Sequence, residues 1–325
     1  MKTHFTPIEL KDIKTYSLSG RESRVSADDF ARKWKKGGRF SDFLDTLPRI
    51  LAADDLRAVA DAIIRAHKEK RTVALGMGAH VIKTGLNPLI IDLMEQGIIQ
   101  AVAMNGACII HDFELAFSGR TSEDVAAALG SGAFGMAEET CTFLGSAIER
   151  AGKEELGLGQ AVGLSILEEK LPMAAESIPA AGVRLGIPVT VHVAMGTDII
   201  HMHPCFPPAA AGDAGHRDFR IFASVVSTLE KGVYINLGSA VILPEVFLKA
   251  LTLVRNLGHS VKNLTTVNMD FIRHYRPMTN VVHRPTLEGG KGYSIVGHHE
   301  IMFPLLAAAV KEQMEEQTGP LPEKE

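Results

Sequence analysis

Aromatic residues are scarce, 6% of 325 with a single tryptophan, and cysteine is scarcer still. Cys108, Cys141 and Cys205 are odd in number, widely spaced and form no C-x-x-C pair. That excludes a disulfide framework and suits a reducing compartment. No run of about 18 apolar residues occurs, so no membrane-spanning helix is expected. Met1 to Lys14 lacks the apolar core of a signal peptide, and the cytoplasm is the expected compartment. An excess of one charge is also missing: 34 Lys and Arg face 38 Asp and Glu, a formal net charge of −4. This balance excludes a nucleic-acid footprint and a polybasic membrane patch. The cluster Arg32-Lys33-Trp34-Lys35-Lys36 reads as a solvated face. With 46% apolar and 22% charged residues the chain is neither disordered nor collagen-like, and it is long enough to bury a core.

The first 50 residues read as an irregular lead-in, interrupted by Gly20, Gly37-Gly38 and Pro48. A helix is predicted from Asp54-Asp55, because Leu56, Val59, Ala60, Ile63, Ile64 and His67 repeat at helical spacing. Thr72 to Gly76 reads as a short buried strand. Asn87 and Pro88 open the next helix as N-cap and first residue, Gly97 stops it, and Ile98 to Met104 is a second strand. Asn105-Gly106 turns the chain into a helix over 109–117, closed by Gly119. The stretch from Gly119 to Gly186 reads as helical. Strands resume at Ile187–Val193 and Val233–Leu237, followed by helices over 218–229 and 244–257, and Leu264–Val267 reads as the last strand. Strand and helix alternate, which implies a doubly wound, mostly parallel sheet with helices on both faces. The expected organisation is a lead-in over 1–50, a single α/β nucleotide-binding domain over 51–318 and a tail over 319–325.

In such a sheet ligands sit beyond the carboxyl ends of the strands, near the point where strand order reverses. Four glycine turns fall there: Gly76-Met77-Gly78-Ala79-His80, Asn105-Gly106-Ala107, Gly196-Thr197-Asp198 and Gly238-Ser239-Ala240. Glycine permits close backbone approach, and helix starts offer free N–H groups to phosphate oxygens. None is a G-x-G-x-x-G or Walker loop, so the case rests on their number.

Several of the 13 histidines fall near the same ends: His80, His111, His192, His201 and His203. In extended chain, His201-x-His203 would point both rings to one face, a geometry suited to metal, and neutral imidazole also serves as a base near pH 7. Packed, hydrogen-bonded histidine is the bland alternative for each. His111, Asp112, His201 and His203 are the catalytic candidates; His192, Asp198, His201 and His203 are the alternative set for a divalent metal. His298-His299, after Gly297, is a further candidate.

The stretch from Arg71 to Phe117 resembles deoxyhypusine synthase. The residues are Gly76 to Gly85 after the first strand, the helix from Leu86 to Glu95, and Met104 to Phe113 after the second strand. Ile187-Pro188-Val189 leading to Gly196-Thr197-Asp198 is similar to the family's Ile-Pro-Val strand and Thr-Asp-Gly-Ser turn. Ile235-Asn236-Leu237-Gly238 and the helix ending Val254-Arg255-Asn256-Leu257-Gly258 also follow its order, over roughly residues 50 to 285. The resemblance implies an NAD-binding α/β fold, a homo-oligomer of two or four copies with sites between paired subunits, and transfer of an aminobutyl group through a lysine. The chain departs at that lysine: Arg276 to Pro285 contains none, and Lys291 lies outside the motif. His111 stands where the family has Glu, which removes negative charge that would hold a polycation, and His80 stands where it has Asn. The expectation is therefore NAD-dependent chemistry on a small molecule other than deoxyhypusine formation. A metal-dependent enzyme and a non-catalytic oligomeric binding protein are the alternatives.

Overall fold

Val73 to Met77 is apolar throughout, and in the computed structural model, which describes residues 5–315, it forms the central strand β1. Beside it stand β2 (Ala101–Asn105), β3 (Val189–His192), β4 (Val233–Leu237), β5 (Thr265–Asp270) and β6 (Lys291–Val296). All pairs are parallel, in the order β3-β2-β1-β4-β5-β6. Strands covered on both faces carry continuous rather than alternating apolar sequence, as β1 and β2 do. Strand order reverses between β1 and β4, which is the topological switch of a doubly wound sheet.

Helices make the connections. α1 (Phe40–Thr46) and α2 (Leu51–Lys68) precede β1, and α3 (His80–Lys83) and α4 (Asn87–Glu95) join it to β2. The excursion from β2 to β3 holds α5 (Gly106–Ser118), α6 (Val125–Leu129), α7 (Glu138–Lys153), α8 (Leu158–Glu168) and α9 (Ile178–Leu185). α10 (Pro208–Ser227) leads to β4 and α11 (Ile242–Asn256) to β5. α12 (Tyr275–Pro277), a π-helical turn at Met278–His283 and a 3₁₀ turn at Arg284–Thr286 lead to β6, and α13 (His299–Glu315) follows. Alternate strand residues feed two buried clusters. Val73, Leu75 and Met77 pack with Ile63, Ile90 and Phe303. Ala74, Ala103 and Tyr234 pack on the other face with Phe222 of α10 and Phe247 of α11.

Several boundaries differ from the sequence reading. Leu264–Val267 is not the end of the sheet, because β6 follows it. β6 is a largely exposed edge strand with a polar start, so no apolar run announces it. α10 begins ten residues before the expected start at Asp218. Leu86, not Asn87, holds the cap position of α4; the Asn87 amide instead donates to Asp112 Oδ1 at 3.2 Å and to the Glu176 carbonyl at 2.9 Å. Gly97 and Gly119 take left-handed φ of 66° and 69°, as helix stops require. The expected tail over 319–325 lies outside the described residues. No helix among the described residues is long and apolar enough to cross a membrane.

Candidate functional site

At the switch point the turns after β1 and β4 close on each other. The Gly78 N–H donates to the Leu237 carbonyl at 3.0 Å, and a Cβ at Gly78 would lie 2.1 Å from the Gly238 carbonyl oxygen. Gly238 has φ 64°, and its own Cβ would lie 2.6 Å from His299 Nε2. Gly78 therefore needs glycine for contact, and Gly238 for contact as well as conformation. His299 is 1% exposed, neither of its ring nitrogens has a hydrogen-bond partner, and the Asp270 carboxylate stands 3.7 Å away. Burial pushes the imidazole pKa down, with Asp270 opposing and His80 adding to the effect. His80, exposed at the start of α3, packs with Phe271 and His299, while the exposed His298 stacks on Phe271.

On the other side of β1, beyond the ends of β2 and β3, lies a cavity of about 250 Å³ lined by Lys83, His111, Glu114, Glu123, Thr197 and Asp198. Asn105 caps α5, its side chain accepting from the Cys108 N–H at 3.2 Å. Asp198 crosses over from the β3 side so closely that a Cβ at Gly106 would meet its Oδ2 at 2.0 Å. This carboxylate is buried, Oδ2 has no partner, and burial alone raises its pKa to about 6.

His111 and Glu114 are one helical turn apart on α5 and face the same cavity. The Thr121 hydroxyl donates to Glu114 Oε2 at 2.5 Å, and its oxygen lies 2.6 Å from His111 Nδ1. A hydroxyl has one proton to give, and a carboxylate cannot give one back. His111 Nδ1 must therefore donate to Thr121, which leaves the Nε2 lone pair as the basic site. Thr140 holds the other Glu114 oxygen at 3.2 Å. Burial lowers the His111 pKa, Glu114 opposes this, and Lys83 lowers it further, so the ring is neutral near pH 7.

The other sequence candidates lie elsewhere. Asp112 points from α5 into the interior. It accepts from the Ile178 N–H at 2.9 Å and from Asn87, and burial raises it to about 7. His192 is buried, 3.0 Å from the Thr190 hydroxyl and edge-on to Phe222, and burial lowers it to about 3. The expected extended His201-x-His203 is instead a 3₁₀ turn over Ile199–Met202, tied by the capping contacts of Asp198. His201 Nδ1 accepts from the N–H groups of Gly196 and Asp198, and His203 Nε2 lies 2.8 Å from the Gly135 carbonyl. Among the described residues no three His, Cys, Asp or Glu side chains converge as metal ligands, so the alternative metal set is not assembled. Gly76 faces the Tyr234 ring rather than the crevice. Lys291 starts β6 opposite Thr265 and so sits at the amino edge of the sheet, away from the crevice. Glu114, Thr121 and Asp270 escaped the sequence reading. The three-residue spacing of His111 and Glu114 was the available signal for the first.

No family model matches the chain, and no curated protein matches it. Solved structures do. AgrE in a ternary complex with ornithine and NAD+ superposes with a TM-score of 0.51 at 16% identity, over 79% of this chain and 33% of AgrE. A protein assigned to the LOR/SDH group from Methanococcus maripaludis S2 gives 0.52 at 17% identity, over 82% of this chain and 71% of the other. One assigned as a deoxyhypusine synthase from Entamoeba histolytica gives 0.53 at 12% identity, over 87% and 96%. At such identities the likeness is one of fold. The chain has the deoxyhypusine-synthase-like α/β fold, as its glycine turns suggested, and it spans about a third of the AgrE chain.

Proposed function

We propose that this protein, as a homo-oligomer, binds NAD across the switch-point turns and oxidises a small molecule held in the adjoining cavity. The reading rests on one observation, the Glu114–Thr121–His111 relay that leaves a neutral imidazole with a free lone pair beside the Asp198 carboxylate, whose Oδ2 has no partner. The residues present fit a dinucleotide: Gly78 and Gly238 keep side chains out of the crevice, and His80, His298 and Lys83 offer N–H donors to phosphate oxygens. When bound, NAD supplies the acceptor for a hydride leaving the substrate carbon. His111 Nε2 takes the proton from the hydroxyl or amine on that carbon. The resulting imidazolium keeps its Nδ1–H on Thr121, and Glu114 at 3.8 Å stabilises the new positive charge. Asp198 accepts a hydrogen bond from the substrate or a ribose hydroxyl. His201 and His203 hold the turn that carries Asp198, and Asp112 anchors α5 to α9.

Three carboxylates and one lysine in the cavity favour a small molecule bearing an amine. The ornithine bound by AgrE makes amino acids the first to try. Deoxyhypusine formation is excluded from this reading, because no lysine lies in the segment 276–285 and Lys291 starts β6 at the other edge of the sheet. The test is NADH formation from a panel of small amines, amino acids and hydroxy acids. His111→Gln should lower turnover by roughly 100-fold and leave the melting temperature nearly unchanged. Unaltered turnover in that variant would contradict the base assignment.

A further inference from the structure

Two of the three cysteines meet between α7 and the loop that joins β3 to α10. Cys141, near the start of α7, is buried, and Cys205 in the loop is exposed. The Cys205 thiol donates to the Cys141 carbonyl at 3.3 Å, across 64 residues of sequence. Adding the Cα–C and C=O bonds to that contact puts Cys205 Sγ within about 6 Å of the Cys141 Cα. Gly145, one turn further along the same face of α7, permits the approach. A Cβ there would meet the Cys205 carbonyl oxygen at 2.8 Å and the Cys205 Cβ at 3.7 Å. Burial pushes the Cys141 thiol up to about 12, and the charges of Cys205 and Glu114 add to the effect. The third thiol is set apart: Cys108 is buried and donates to Asn105 Oδ1 at 3.0 Å.

We propose that Cys141 and Cys205 are an oxidisable pair, which closes to a disulfide in the folded protein and reopens with a thiol reductant. The oxidant is a peroxide. The exposed thiol reacts first. The Cys205 sulfur attacks one peroxide oxygen, the O–O bond breaks, and a water leaves with the thiol proton, which makes Cys205 a sulfenic acid. The Cys141 sulfur then attacks the Cys205 sulfur, the S–O bond breaks, and the departing hydroxide takes the Cys141 proton as a second water. Two electrons pass from the two thiols to the peroxide. Cys141 is rarely a thiolate, so the second step is the slow one. The bond ties the loop that carries Asp198 to the helix whose Thr140 holds Glu114. Oxidation thereby fixes two walls of the cavity against each other. This inference does not depend on the cofactor or the reaction.

Peroxide treatment of the full, folded chain, followed by unfolding and alkylation, tests it. Before alkylation the mass should fall by two hydrogen atoms, and Cys108 alone should then take the label. A peptide pair joining Cys141 to Cys205 should appear and be lost on reduction with dithiothreitol. In the bridged form, amide exchange over residues 196–206 should slow by roughly tenfold; unchanged exchange would refute the tie between the walls. Cys141→Ser keeps the carbonyl contact and should leave Cys205 as a sulfenic acid that dimedone traps. Cys205→Ser should leave Cys141 unoxidised. Three labelled cysteines after peroxide would overturn the inference, as would Cys205 carried on to the sulfinic acid in the wild type without a bridge. A bond that joins two chains, or one that forms only in urea, would overturn it equally.

Discussion

Replacing Asp198 by Asn should stabilise the protein at neutral pH while impairing its chemistry. The carboxylate is buried without a counter-charge, and burial raises its pKa from 3.8 to about 6. Two units correspond to about 3 kcal/mol of preference for the protonated form in the folded state. Between pH 3.8 and about 6 the folded chain holds a proton that the unfolded chain releases. Stability therefore falls as pH rises through that window, and the full penalty is present above it. Asn keeps the shape and an acceptor oxygen but carries no charge. In urea unfolding, Asp198→Asn should be more stable than wild type by ~1–3 kcal/mol at about pH 7.5, and the gap should close near pH 4. Turnover should drop together with the gain in stability, the signature of a group kept for function. A variant less stable than wild type at about pH 7.5, or a gap independent of pH, would refute the reasoning.

Other expectations follow from single contacts. Asp218 is buried and accepts from the N–H groups of Gly159 and Val191, so Asp218→Ala should cost about 2–4 kcal/mol in urea unfolding by leaving both donors unpaired. Gly238→Ala forces a Cβ into left-handed backbone and against His299; it should lose about 1–3 kcal/mol and depress NAD affinity, read by calorimetry. His203→Ala removes the 2.8 Å contact to the Gly135 carbonyl and should cost about 1 kcal/mol, with faster amide exchange over residues 130–135.

The sheet was legible wherever a strand is buried on both faces. Val233–Leu237 was located to the residue, and the glycines at 97 and 119 marked real helix ends. β6 and α13 were not legible, because an exposed edge strand beginning Lys291-Gly292 carries no buried pattern. The site was legible in part. Strand-end turns follow from local chemistry, so Gly78, Gly238, Asp198 and His111 could be named from the sequence. The pairing of His111 with Glu114 through Thr121 depends on the loop after Gly119 folding back over α5, which no local pattern specifies. The two neighbouring histidines at 298 and 299 have opposite fates, one exposed and one 1% exposed, because only the second turns inward at the start of α13. His201-x-His203 shows the complementary case: the spacing suits one face only in extended chain, and a 3₁₀ turn rotates the two rings into separate packing roles.

In the proposed function a dinucleotide binds over the turns that follow β1 and β4. Its most direct test is calorimetric titration of cofactor-free protein with NAD, accompanied by melting curves at millimolar ligand. Binding to the native state alone should raise the melting temperature. Saturable binding of one NAD per chain, weakened by Gly238→Ala, is the expected result. Absence of heat and of any melting shift with either NAD or NADH would contradict it.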